Sequence, residues 1–354
     1  MNESLSIRKP CLFDYATSEL SQDAFLAYVL AWADGRHFGA MHDFGRLFLR
    51  KVFELSEIPF PASPLNVIVR RQYCNIDVFC EINGNDYALI IEDKINASEH
   101  DNQLLRYKEN IEKEKKYKKV LCVYCKTGDQ SNFKNVKDAG YAVMNRPVLM
   151  SLLESPEGKR ACDMCEIVAD FAYHLQFINQ LVESYKTEPL DKWNWNAWKG
   201  FFTALQSDAA LGEGDWGYVS NPAGGFMGFW WHWRTVENGE VYLQLEENKA
   251  CFKVAVNGDA AERAQDMKYS WNERFIKANE TVEAASVIAV VRPHVLRVGM
   301  WMTVATLKDD YRIADTEGRL DLSATIENLK AMGTVLDTAV ENAKTYGDPS
   351  ASSS

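Results

Sequence analysis

The segment Leu89-Ile90-Ile91-Glu92-Asp93-Lys94 constrains this chain more than any other six residues. A short, continuous apolar run of β-formers reads as a strand buried on both faces, which requires a sheet covered on either side. The run then stops abruptly in three charges. Charges at the end of a buried strand need partners, because a desolvated, unpaired carboxylate or ammonium is costly. The expectation is an α/β fold with a polar site at the end of its central strand.

The preceding residues supply the partners. Ile76 to Ile82 and Tyr87 to Asp93 are rich in strand formers and flank Asn83-Gly84-Asn85-Asp86, a turn composition, so a hairpin is expected. With Ile82 opposite Tyr87, counting outwards sets Asp77 opposite Glu92, and alternation sends Glu92 and Lys94 to one face and Asp93 to the other. Two carboxylates and a lysine then converge. A divalent ion would resolve the crowding of like charges, and hard carboxylate oxygens suit Mg²⁺ or Mn²⁺.

Asp77 followed by Glu92-Asp93-Lys94 resembles the PD-(D/E)XK nuclease superfamily, whose signature is an Asp on one strand and (D/E)-x-K on the next. Ile76 stands where that signature has proline, which leaves the carboxylate untouched. Downstream, Gln103-Leu104-Leu105-Arg106-Tyr107 resembles the Q-x-x-x-Y motif of RecB-like members, and a four-residue spacing puts Gln103 and Tyr107 on one helix face. Ser98-Glu99-His100-Asp101 offers capping residues for that helix, with His100 read as a surface residue. The stretch from Thr17 to Leu26 resembles the first helix of the family, which often adds an acid. Glu19 is the choice and Asp23, one turn later, the rival. Both also fit as acids favoured near a helix N-terminus by its dipole.

The resemblance implies a restriction-endonuclease-like αβββαβ core with a central mixed sheet, and hydrolysis of phosphodiester bonds, in DNA by expectation. Asp77, Glu92 and the backbone carbonyl of Asp93 would hold Mg²⁺ or Mn²⁺, with Glu19 as a fourth donor. Lys94 would orient the attacking water or offset developing charge, and Gln103 and Tyr107 would complete the catalytic set. A role in phage defence or DNA processing is implied by resemblance alone. The competing reading is a nuclease-fold module that binds nucleic acid or protein without cutting.

The remaining pattern fits two domains. A helical segment from Glu19 to Leu55, a loop with Pro59, Pro61 and Pro64, and a strand from Val67 to Arg71 precede the hairpin. Strands at Val120 to Tyr124 and Tyr141 to Met144 follow, then helices from Pro147 and a long helix from Phe171 to Tyr185. Periodicity stops at Lys186 to Leu190. We therefore expect a nuclease-like domain over 1–185, an aromatic-rich α+β domain over 186–346 able to serve a protein partner, and a disordered tail over 347–354. In the second domain, Gly225 to Arg234, Val241 to Glu246 and Cys251 to Val256 read as a meander. A helix from Ala260 to Ala278, strands Ala285 to Val291 and Gly299 to Thr306, and a helix from Ala324 to Tyr346 complete it. Trp231 and Trp233 share a face with Phe229 by alternation, which favours core over base stacking.

Composition narrows function further. A net charge of -11, concentrated in the second half, argues against a broadly basic surface that coats nucleic acid. Arg70, Arg71, Arg106 and Lys108 are the candidates for local phosphate contacts, whereas Lys113 to Lys119 reads as a solvated helix end. Cys122 and Cys125 fall on a strand, where positions three apart face opposite ways, so with Cys162 and Cys165 they do not form a zinc ribbon. Reduced cysteines are expected. No apolar run reaches a membrane span and no signal-peptide pattern opens the chain, so a soluble, cytoplasmic protein is expected.

Overall fold

A computed structural model of the chain describes residues 9–346 apart from 17, 63, 98, 100–101, 222–223, 259–262, 283–287 and 296. It divides into two compact units, Met1–Gln180 and Leu181–Ser354. The proposed capping residues Ser98, His100 and Asp101, and the tail 347–354, lie outside the described residues.

In the first unit, helices α1 (Leu12–Tyr15), α2 (Ser18–Ala31) and α3 (Ala40–Leu55) precede a hairpin-rich run β1 (Val67–Tyr73), β2 (Ile76–Ile82) and β3 (Tyr87–Lys94). Then come α4 (Gln103–Lys113), β4 (Lys119–Lys126), α5 (Lys134–Asp138), β5 (Ala142–Asn145), α6 (Arg146–Glu154), α7 (Pro156–Met164) and α8 (Glu166–Glu183). The sheet order is β1-β2-β3-β4-β5, antiparallel up to β3 and parallel beyond it. The expected mixed sheet is present, with β3 at its centre.

Strand alternation assigns each face its own core. Leu89 and Ile91 lie in a cluster with Phe25 and Leu26 of α2, Phe44 and Phe48 of α3, and Phe171 of α8. Ala88 and Ile90 instead join Leu104, Tyr107 and Ile111 of α4 and Val136 of α5. Burial of β3 on both faces is what its apolar run required. The two cysteines of β4 separate in the same way, Cys125 to the first cluster and Cys122 to the second. None of the eight cysteines is paired in a disulfide.

The helical segment expected from Glu19 to Leu55 consists of two helices. Asp34 interrupts it: its Oδ1 accepts the Arg36 N–H at 3.0 Å and its Oδ2 accepts the Val67 N–H at 2.8 Å, so the chain turns where Asp34 reaches β1. The pair then packs closely at Gly45, where a Cβ would lie 2.6 Å from the Val29 carbonyl oxygen. Helix α4 starts at Gln103. Its N-cap is Asn102, at φ 53°, with no side-chain capping bond.

The second unit follows α9 (Trp195–Ser207) with β6 (Gly214–Val219), β7 (Phe226–Val236), β8 (Gly239–Glu246) and β9 (Lys249–Val256), then α10 (Ala264–Thr281), β10 (Val290–Val291) and β11 (Trp301–Leu307). A small pair, β12 (Ile313–Ala314) and β13 (Leu320–Asp321), leads into α11 (Leu322–Tyr346). Its six-stranded sheet has the order β10-β11-β9-β8-β7-β6, antiparallel throughout. Phe201, Phe202, Phe229, Trp231, Phe252 and Phe275 fill one core with apolar residues of α11.

One expectation fails here. Trp231 is core, but Trp233 is 39% exposed and stacks on Tyr242 at 3.8 Å. The register of β7 against β8 shifts between Trp231 and Arg234, and His232 sits at φ 60°. That bulge turns His232 and Arg234 onto Asp337 of α11 and reverses the side on which Trp233 falls.

Candidate active site

The hairpin register is the expected one. Ile82 pairs with Tyr87 and the ladder runs to Val78 opposite Ile91, so Asp77 and Glu92 stand across from each other one step beyond. The side chains that gather around this step come from β1, β2, β3, α2 and α4.

On the α4 side, Glu92 is fully buried and its two oxygens are treated differently. Oε1 accepts hydrogen bonds from Lys94 Nζ at 2.5 Å and Gln103 Nε2 at 2.9 Å. Oε2 is buried without a hydrogen-bond partner among the described residues. Gln103 Nε2 also donates to the Tyr107 hydroxyl at 2.9 Å, so Tyr107 reaches the carboxylate through Gln103. Burial and then the charge of Asp77 push the Glu92 carboxyl up to about 7, against the opposing pull of Lys94. Burial works against the Lys94 ammonium, but its bond to Glu92 outweighs this and raises it above its ordinary value.

Asp77 links the faces. Its Oδ2 accepts the backbone N–H of Asp93 at 2.9 Å and its Oδ1 accepts Gln72 Nε2 at 3.3 Å. Gln72, held at φ 54°, also donates to Asp23 Oδ2 at 3.3 Å. The Asp93 carbonyl faces the same cluster, accepting Lys94 Nζ at 3.2 Å.

On the α2 side, the Asp93 side chain is wholly buried and accepts Gln22 Nε2 at 2.5 Å, while Thr127 Oγ1 donates to Gln22 Oε1 at 2.9 Å. Asp23 Oδ1 and Asp93 Oδ2 are also buried without partners among the described residues. Burial, then Asp77, raises Asp23 to about 6, and burial raises Asp93 well above the carboxylate range. Helix α2 brings both candidate acids here. Glu19 Oε1 accepts the Ile95 N–H at 3.3 Å, and Asp23 approaches Arg71 at 3.8 Å.

The structure thus brings Asp77, Glu92, Lys94, Gln103, Tyr107, Glu19 and Asp23 into one neighbourhood. Sequence reasoning missed Gln22, Gln72, Thr127 and the side chain of Asp93. The one available signal was Gln22-Asp23 on the buried side of an otherwise apolar helix. Ile95 and Ala97, just after β3, are held by buried Lys126, which donates to the Ala97 carbonyl, and by close approach at Gly128, where a Cβ would lie 2.2 Å from the Ile95 oxygen.

The unpartnered oxygens lie on both sides of the strand, Glu92 Oε2 towards α4 and Asp23 Oδ1 and Asp93 Oδ2 towards α2, and each requires a proton or a cation; an oxygen-preferring divalent ion suits the carboxylate donors that approach Asp77. Among curated proteins and solved structures, no relative matches the chain. Residues 12–180, the stretch that carries this acidic site, match the family model of the PD-(D/E)XK nuclease superfamily, and that match supports a nuclease.

Proposed function

We propose that the first unit is a metal-dependent nuclease of RecB-like type that hydrolyses phosphodiester bonds in DNA. The observation that carries this reading is the divided role of Glu92: Oε1 is anchored by Lys94 and Gln103, and Oε2 is buried with no partner among the described residues. Such an oxygen costs stability unless the site has a use for it.

Asp77, Glu92 and the Asp93 carbonyl are the donors that would hold Mg²⁺ or Mn²⁺, with Glu19 or Asp23 as an additional carboxylate. When bound, the ion would supply Lewis-acid charge to the phosphoryl group and lower the pKa of water. Lys94 is positioned to offset negative charge that develops at phosphorus, because its ammonium sits between Glu92 and the Asp93 carbonyl. Gln103 fixes the Glu92 rotamer, and Tyr107 fixes Gln103. The Asp93 N–H holds the Asp77 carboxylate in place.

The test is incubation of the full chain with labelled single- and double-stranded DNA and RNA in Mg²⁺, Mn²⁺ or EDTA. Cleavage is expected with either metal on DNA, abolished by EDTA and reduced more than about a hundredfold in Glu92→Ala. Cleavage in EDTA, or at an equal rate in that variant, would sink the mechanism. Binding without any cleavage would favour the non-cutting module.

A further inference from the structure

Outside the acidic site, three donors of different chemistry meet at the N-terminal edge of the first unit. Cys11 Sγ, an Asp14 carboxylate oxygen and a His174 ring nitrogen all lie within 4.8 Å of one another. Cys11 and Asp14 are three residues apart around the single turn of α1, which sets them on one side. His174 comes from α8, far away in sequence. Its Nδ1 lies 3.5 Å from Asp14 Oδ1.

The surroundings hold the donors in place. Asp170, one turn before His174, accepts the Leu12 N–H at 2.9 Å and Lys9 Nζ at 3.3 Å, and its carbonyl accepts the Cys11 thiol at 3.3 Å. Phe13 lies edge-on to Phe25 and Phe171 and 5.9 Å from the His174 ring, so α1 is anchored on its apolar side as well. Cys11 is 1% exposed, while the Asp14 and His174 side chains are 26% and 21% exposed, which leaves a route in from solvent.

We propose that Cys11, Asp14 and His174 form a second metal site, for a borderline ion such as Zn²⁺, that fastens the segment 9–15 to α8. A tetrahedral zinc site with bonds of about 2.0–2.3 Å separates its ligand atoms by roughly 3.3–3.6 Å, close to the His174–Asp14 spacing and a short side-chain adjustment from the full set. The thiol, imidazole and carboxylate set differs in kind from the all-oxygen acidic site. It selects zinc or cobalt over Mg²⁺. Binding releases the Cys11 thiol proton to solvent, and with Nδ1 on the metal the ring proton sits on Nε2. Three protein ligands leave a fourth position for water.

Cobalt(II) absorption on the full-length, chelator-stripped protein tests this. One equivalent is expected to give tetrahedral visible bands and a thiolate-to-cobalt charge-transfer band. That band should vanish in Cys11→Ser and persist in Glu92→Ala and in the double variant Cys162→Ser/Cys165→Ser, which removes the two half-buried thiols. His174→Ala should weaken cobalt binding more than about tenfold. Zinc should raise the melting temperature of the parent and not of His174→Ala, a readout that stands even where Cys11→Ser folds poorly. Absence of the charge-transfer band, its survival in Cys11→Ser, or equal zinc stabilisation of His174→Ala would overturn the assignment. A His174–Asp14 ion pair beside an uninvolved thiol would give no band and equal zinc stabilisation, and survival of the band in Cys11→Ser would place the thiolate ligand elsewhere.

Discussion

Glu92 divides its work between two oxygens, and that division decides what each neighbour does. Lys94 stands on the anchored side, 2.5 Å from Oε1, so the unpartnered oxygen, the proposed metal donor, does not depend on it directly. We therefore expect Lys94→Ala to retain Mn²⁺ binding by calorimetry while losing roughly a hundred- to a thousandfold in cleavage rate, the scale of removing one charge-stabilising donor. Undiminished cleavage would take Lys94 out of the mechanism. The placement of Asp77, Glu92 and Lys94 was readable in the chain, because strand alternation and a four-residue turn are local rules. Gln22, Gln72 and Thr127 were not. Gln72 reaches both Asp23 and Asp77 because its backbone adopts φ 54°, a conformation nothing in its neighbours' composition demands. Thr127 enters only because Gln22 of α2, a helix packed on β1, β2 and β3, reaches the residue after β4, a long-range event.

Elements were legible where their period was uniform and illegible where one residue broke it. Strands β2 and β3 fall where alternation put them, whereas a single bulge at His232 reversed Trp233, and Asp34 divided the expected helical segment. Asp34 also makes a pH prediction at this scale. Burial works to raise its carboxyl, but bonds from the Arg36 side chain and the Val67 and Arg36 N–H groups prevail and lower it to about 2. With an unfolded value of about 3.9, this group contributes about 2 kcal/mol, fully present above about pH 5 and lost as pH falls through about 2. The carboxylate side chain is 2% exposed, so solvent screens the contribution little, although its Arg36 partner is 75% exposed. Asp34→Asn, which cannot accept both N–H groups equally well, should cost about 1–2 kcal/mol in urea unfolding at pH 7. The gap between variant and parent should shrink as pH is lowered towards 2. A gap that stays constant with pH would mean that Asp34 acts through shape and not charge.

At the scale of the whole molecule, a candidate nuclease with a net charge of -11 has to engage a polyanion. Of the basic residues offered for phosphate contacts, Arg70 and Arg71 face acids of the first unit, as do three lysines of the stretch read as a solvated helix end. Arg70 pairs with Glu81 at 2.6 Å and Lys116 with the same carboxylate, Arg71 donates to the Leu20 carbonyl beside Asp23, Lys113 pairs with Glu109 at 3.0 Å, and Lys118 with Asp86 at 2.6 Å. Arg106 lies over the Tyr107 ring, beside the site. Each phosphate neutralised contributes about one unit to the slope of log affinity against log salt, so a protein whose cations near the site pair with its own acids should show a shallow dependence. Between about 50 and 200 mM salt, we expect affinity for DNA, measured by anisotropy in Ca²⁺ to block turnover, to fall less than about tenfold. A loss of about a thousandfold would require six or more phosphate contacts. It would show that these ion pairs open on binding and that substrate recognition rests on charge. A shallow slope would leave recognition to the acidic site and the divalent ion proposed for it, which would attract a phosphodiester only where the ion is seated.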